Sequence, residues 1–232
     1  MLVHGDSAFI PLETSFPAAS QIADRLVYTG YVGAAPPTGA DRAKNSVGGG
    51  EVLVSAGGGA VGGALLATAL EARRRGCLAD LEWRLLAGPN LPQAEFAALA
   101  ERLPAGVVLE RYRTDFLALL RSCRVSISQA GYNTVLDILA ARAAAVVVPF
   151  AAGRETEQQL RAERLAAKGV LEMVDERDLS PGRLAEAIER AIIAPPAALS
   201  VDTGGASRTA RLLAAMIKGW QRRGSPFCNA CR

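Results

Sequence analysis

The chain has 232 residues, half of them hydrophobic, with 26 Lys plus Arg against 23 Asp plus Glu and a formal charge of +3. Enough apolar side chains are present for a packed core, which excludes disorder as the main state, and basic residues scattered among acids do not make the concentrated basic face of a nucleic-acid binder. No window reaches the ~18 uninterrupted apolar residues of a membrane span.

Met1 to Pro11 has neither the basic nor the apolar region of a signal peptide, so a cytoplasmic protein is expected. Residues 1–33 hold a strand-like piece at Met1 to Val3 and a helix candidate around Pro17 to Arg25, too little to close a core, and read as the remnant of a larger N-terminal domain. Residues 34–50, rich in Pro, Gly and small polar side chains without a hydrophobic period, read as a linker.

From Glu51 the pattern alternates. Strand-length apolar runs lie at Glu51 to Ala56, Leu81 to Ala87, Gly106 to Glu110, Arg124 to Ser128, Ala144 to Val148 and Val170 to Val174. Helical patterns lie between and after them at Val61 to Arg75, Pro92 to Leu103, Thr114 to Ser122, Thr134 to Ala141, Arg154 to Lys168, Pro181 to Ile193 and Ser207 to Arg222. Strands alternating with helices predict right-handed βαβ units: an α/β, Rossmann-like, doubly wound parallel sheet covered on both faces. The predicted domain spans 51–223, with 224–232 as a tail. The four cysteines are expected as reduced thiols. Cys228 and Cys231 have the spacing of half a zinc site or a redox pair, but no second pair accompanies them, and a frayed terminus is the expectation.

In the strand order 3-2-1-4-5-6, the first and fourth strands meet at the switch point where ligands bind. The first predicted strand runs into Gly57-Gly58-Gly59-Ala60-Val61-Gly62-Gly63 and the fourth into Ser128-Gln129-Ala130-Gly131-Tyr132-Asn133-Thr134, each opening a helix. Glycines there let the backbone approach a ligand, and free helix N–H groups favour a phosphate. The first loop alone equally suits simple helix-on-sheet packing. It lacks the Gly-Lys-Ser/Thr of a Walker loop, and the second strand ends Leu85-Leu86-Ala87-Gly88 without the acid that holds an NAD ribose. Asp137, one turn beyond Asn133, has two readings: an acid complementing the helix dipole, or a carboxylate accepting two ribose hydroxyls. The fifth strand ends in Pro149-Phe150, followed by Arg154-Glu155-Thr156-Glu157-Gln158-Gln159. Three polar clusters at the carboxyl ends of neighbouring strands suit a nucleotide carrying a further polar group.

These motifs, with Arg161-Ala162, resemble the C-terminal, donor-binding domain of GT-B glycosyltransferases, family 28, over Glu51 to about Ile193. Gly131-Tyr132-Asn133-Thr134 with Arg154 to Gln158 looks most like a bacterial branch of predicted glycosyltransferases in that group. The resemblance implies diphosphate contacts at Gly57, Gly58, Gly59, Ser128, Ala130, Gly131, Asn133 and Thr134, and a ribose contact at Asp137, where the family usually has Glu. It implies sugar contacts at Glu157 and Gln158 and base contacts at Tyr112 and Arg113; Thr156 stands where a His often precedes the sugar-reading pair.

The resemblance further implies a nucleotide diphosphate sugar, UDP-linked, as donor, inverting hexosyl transfer to an acceptor hydroxyl, and neither cofactor nor metal. It assigns no catalytic residue in this chain. In the family the acceptor and the general base belong to an N-terminal domain of which 1–33 resembles only the tail, so a separate acceptor-domain protein is an expected partner. The single histidine, His4, has no sequence-local partner that would orient it as a base. Two other classes stand beside the transferase: a donor-binding module without turnover, and a sugar-nucleotide 2-epimerase, ranked last because the Gly-Tyr-Asn-Thr loop resembles the transferases more.

Overall fold

The computed structural model describes residues 1–33, 50–59, 62–150, 157–193 and 195–222, for residues 221 and 222 the backbone only. Contacts divide the chain into one unit of Pro36–Leu199 and another of Met1–Ala35 with Ser200–Arg232.

In the larger unit the six apolar runs become β3 (Val52–Ser55), β4 (Trp83–Leu86), β5 (Val107–Glu110), β6 (Val125–Ser128), β7 (Ala145–Val147) and β8 (Glu172–Met173); β1 and β2 belong to the other unit. All are parallel, in the order β5-β4-β3-β6-β7-β8, which is the expected 3-2-1-4-5-6 winding with β3 beside β6 at the switch point. Every residue of β3 and β6 is buried, as central strands covered on both faces require.

Helices α1 (Gly63–Arg73), α2 (Gln93–Ala100), α3 (Phe116–Ser122), α4 (Tyr132–Ala141), α5 (Glu157–Ala167) and α6 (Pro181–Ile193) connect and cover the strands. Val52, Val54, Trp83, Leu85, Val125, Ile127 and Val146 share one sheet face and form the core with α1 and α6, which pack on each other. Burying each such side chain stabilises by about 1.5–3 kcal/mol, and the Trp83 indole N–H is satisfied by the Leu78 carbonyl at 2.9 Å. The alternate positions Ser55, Ser126 and Ser128 put hydroxyls on the other face, where α3 packs on α4.

In the smaller unit β1 (Leu2–Val3) pairs in parallel with β2 (Val27–Tyr28), a strand the sequence does not announce. Pro17–Arg25 forms a 3-10 segment kinked at Ile22 rather than the α-helix its pattern suggests. Helix α7 (Gly205–Arg222) belongs to this unit, whereas the sequence places it at the end of the 51–223 domain. The cause is a set of long-range bonds: the Tyr31 amide donates to the Asp202 carbonyl at 2.6 Å, the Gly205 amide to the Tyr31 carbonyl at 3.0 Å, and Arg208 Nη1 to the Thr29 carbonyl at 2.9 Å. Residues 1–33 therefore have a structural partner within the chain. Most of the expected linker, Cys228 and Cys231, and Arg154 to Thr156 lie outside the described residues.

Candidate functional site

The switch point is built from two adjacent serines. Ser55 ends β3 and Ser128 ends β6 in direct register, and the chain turns away from the sheet immediately after each. Beyond Ser55, Gly57 takes φ +73, a left-handed conformation that disfavours any side chain, and its amide donates to Ser55 Oγ at 3.4 Å. Beyond Ser128, the Gln129 amide donates to the Ser55 carbonyl at 3.4 Å. A Cβ on Gly57 would stand 3.7 Å from Gln129 Oε1, so the two loops flank one crevice.

Gly58 and Gly59 are exposed, and no atom lies within 4 Å of where a Gly58 Cβ would be, which leaves that backbone open to a ligand. Two residues that sequence reasoning missed hold this loop. Asn90 Nδ2 donates to the Gly58 carbonyl at 2.7 Å. Gly88, at φ +81, lies so close beneath that a Cβ there would stand 2.2 Å from the Gly57 carbonyl oxygen. Their signal was their position, directly after β4 at the carboxyl edge of the sheet.

Gly131 is the N-cap of α4, in extended conformation with no side-chain cap. The first intrahelical bond runs from the Val135 amide to the Gly131 carbonyl at 3.0 Å, so the amides of Asn133 and Thr134 precede the helical ladder at its positive end. Asn133 is exposed and Thr134 half-buried. Ser128 and Ala130 are fully buried beneath them, and Ser128 Oγ has no hydrogen-bond partner. Of the residues expected at the diphosphate, Gly57, Gly58, Gly59, Gly131, Asn133 and Thr134 present surface; Ser128 and Ala130 support it from below.

Asp137 lies about 6 Å further along the α4 axis than Asn133, half-buried. Burial pushes its carboxyl pKa up from the ordinary value, and no cation offsets that shift. Sequence left open whether this acid serves the helix dipole; at the sixth helical position it stands beyond the first turn, where that effect acts.

Arg161, on the second turn of α5, is buried and bridges the loops. Its Nη1 donates to the Ala130 carbonyl at 3.1 Å, its Nη2 donates to Glu157 Oε1, and its guanidinium carbon lies 5.7 Å from the centroid of the Tyr132 ring. One cation thus orients Glu157 and braces the turn that caps α4. Gln158 Oε1 accepts the Phe150 amide at 3.3 Å, which fixes the side chain at the end of the fifth strand of the sheet and leaves its NH2 free to donate elsewhere.

Tyr112 and Arg113 follow edge strand β5, about 10 Å across the sheet from β3. Tyr112 is 67% exposed, an open aromatic face. Arg113 is committed to Asp115, at 2.9 and 2.8 Å, and to Glu110, which also accepts from Arg84 at 3.0 Å; these carboxylates raise its pKa. His4 belongs to the smaller unit, exposed, with Nδ1 2.9 Å from Thr29 Oγ1. Among the described residues no group of three His, Cys, Asp or Glu is arranged to hold a metal ion, and no helix is long and apolar enough to cross a membrane.

The fold is that of solved GT-B glycosyltransferases. The calicheamicin glycosyltransferase CalG4 superposes with a TM-score of 0.57 at 21% identity, over 97% of this chain and 53% of that one. MurG of Acinetobacter baumannii gives 0.55 at 19%, over 75% and 57%. The spinosyn rhamnosyltransferase SpnG complexed with thymidine diphosphate gives 0.53 at 20%, over 83% and 53%. In sequence, an uncharacterized glycosyltransferase of Methanopyrus kandleri is 35% identical over 119 residues, 50% of this chain and 34% of that protein. The UDP-N-acetylglucosamine–N-acetylmuramyl-(pentapeptide) pyrophosphoryl-undecaprenol N-acetylglucosamine transferase of Rhodopseudomonas palustris is 30% identical over 122 residues, 53% and 32%. The match thus spans about a third of these curated relatives' length. The model of the glycosyltransferase family 28 C-terminal domain matches residues 53–214, across the whole parallel sheet and both crevice loops, and the chain belongs to that family.

Proposed function

We propose that the β3–β6 crevice binds a nucleotide diphosphate sugar, UDP-linked, as donor for inverting transfer of a hexosyl group to an acceptor hydroxyl. The observation that carries this reading is the half-buried, uncompensated Asp137 one turn beyond an uncapped helix N-terminus, facing a second loop whose glycine backbone is open. An anion beside that terminus and a hydroxyl-bearing ring beside that carboxylate are complementary charges in the order of a nucleoside diphosphate.

In this reading the amides of Asn133 and Thr134, with the Gly58–Gly59 backbone, take the diphosphate. Asp137 accepts the two ribose hydroxyls, Tyr112 and Arg113 flank the base, and Glu157 and Gln158 read the sugar hydroxyls, Glu157 held by Arg161. The acceptor oxygen attacks the anomeric carbon on the face opposite the diphosphate; the new C–O bond forms as the bond to the phosphate oxygen breaks, and configuration inverts. Charge then grows on the leaving diphosphate, where preorganised N–H groups and the α4 dipole stabilise it. The acceptor and the base that takes its proton come from outside the crevice, from a separate acceptor-binding domain. Use of UDP is supported by the name of the Rhodopseudomonas relative, while thymidine diphosphate in the SpnG complex makes that nucleotide the natural competitor.

Calorimetric titration of the full chain with UDP, GDP and dTDP tests this. Saturable UDP binding, weakened by Asp137→Ala, is expected. No binding by any nucleotide to a demonstrably folded chain would remove the donor assignment.

A further inference from the structure

The glycine loop after β3 is aimed by residues that follow a different strand. A Cβ on Gly88 would stand 2.2 Å from the Gly57 carbonyl oxygen and 3.4 Å from its carbon. The difference is about the length of a C=O bond, so that carbonyl points straight at Gly88. The next carbonyl, that of Gly58, accepts Asn90 Nδ2 at 2.7 Å. Gly88 and Asn90 both follow β4, which borders β3 on the side away from β6, so two successive carbonyls are turned to the β4 side. In a planar trans peptide the N–H points opposite to the C=O, and no peptide bond is cis among the described residues. The N–H groups of Gly58 and Gly59 are therefore turned to the β6 side, where α4 begins, and neither donates to another group among the described residues. Successive free N–H groups facing one way favour an anion.

The two peptides are held differently. The Gly57 carbonyl is fixed by the chain itself, through the positive φ of Gly57 and the close approach of Gly88. Around Gly58 there is open space, and one side-chain hydrogen bond holds its carbonyl. Asn90 stands on a fastened segment: the Gly88 amide donates to the Arg111 carbonyl at 2.7 Å, and Arg111 Nη1 donates to the Leu91 carbonyl at 2.9 Å. We propose that Asn90 is a positioning residue for donor binding: by holding the Gly58 carbonyl it keeps the Gly59 N–H turned toward the diphosphate before the ligand arrives. Without that hold the glycine backbone is free to rotate, and binding has to fix it. The proposal rests on the reading of the crevice as a nucleotide diphosphate site and adds to it a residue that acts through the loop.

The test titrates the full chain, carrying nitrogen-15 glycine, with UDP and with uridine, and follows the amide resonances. In the wild type, UDP should move the Gly58 and Gly59 amide proton resonances downfield, and uridine, which has no phosphate, should leave them in place. Asn90→Ala should weaken UDP about tenfold, part of the worth of a hydrogen bond to a charged group, with the uridine affinity unchanged. Asn90→Asp, the same size but without the N–H donor, should weaken UDP at least as much. Asn90 is exposed, so both variants keep the fold, which circular dichroism verifies. UDP affinity indifferent to both substitutions overturns the proposal, as does an equal loss for uridine, or Gly58 and Gly59 resonances that UDP leaves in place. A wild-type chain that binds no nucleotide removes the donor reading and this proposal with it, whereas UDP binding with indifferent variants removes the proposal alone.

Discussion

In the proposed donor site, Asp137 sets stability against ligand binding in one side chain. Its carboxyl pKa is raised by burial alone, so ionising it costs the folded chain more than the unfolded one. A folded pKa above the unfolded value means that this group's stabilising contribution is complete below the unfolded pKa and is lost as pH rises through the folded one. Asp137→Asn should therefore raise Tm by roughly 1–3 °C at neutral pH while weakening UDP roughly ten- to a hundredfold, the worth of a charge-assisted hydrogen bond; a variant that loses both stability and affinity would contradict this account. Gly88 makes the opposite case. Gly88→Ala places a methyl against the Gly57 carbonyl at a positive φ, and should cost more than about 2 kcal/mol in urea unfolding. Asp137 could be singled out in the sequence because a carboxylate one turn into a helix has a short list of roles, of which the sequence left two open. Gly88 was not, because the constraint comes from a loop some thirty residues away.

At the scale of elements, the six strands and the helices between them appear where the apolar runs and amphipathic stretches place them, with ends that differ by at most three residues. Periodicity reports burial, and a parallel sheet covered on both faces buries its strands completely. The coupling between elements is another matter. Arg161 sits among polar residues of α5, and it is buried and joins α5 to the turn that starts α4. Arg161→Met, similar in length but unable to donate, leaves the Ala130 carbonyl without its partner and should cost about 1–3 kcal/mol. It should also separate two affinities. Binding of UDP changes little, whereas the extra affinity of a UDP-sugar over UDP falls roughly tenfold, because Glu157 loses the cation that orients it; equal losses for both ligands would show that Arg161 acts on the α4 turn alone.

The whole molecule holds two bodies of unequal strength. The larger has a continuous core, while the smaller relies on Phe9, Ala19 and Tyr31, a two-stranded ladder and the bonds around Asp202. Calorimetry should show two transitions, the smaller unit melting first; a single transition with equal calorimetric and van't Hoff enthalpies would refute this. Arg208 and the Gly204 amide hold the Asp202 pKa below the ordinary carboxylate value, so its contribution is present above the unfolded pKa and is lost as pH falls through the folded one. Acidification should lower the first transition, and Asp202→Asn should reproduce that shift at neutral pH without moving the second transition. By itself the sequence determined the class of fold, the strand order with its switch point, and the family, because these follow from local hydrophobic period and from short motifs at strand ends. Only the tertiary structure decided that the last helix joins the first 33 residues, that Ser128 and Ala130 lie beneath the loops rather than on them, and that Arg161 spans the two halves of the site. Each of those depends on contacts between residues far apart in the chain, and no local pattern encodes them.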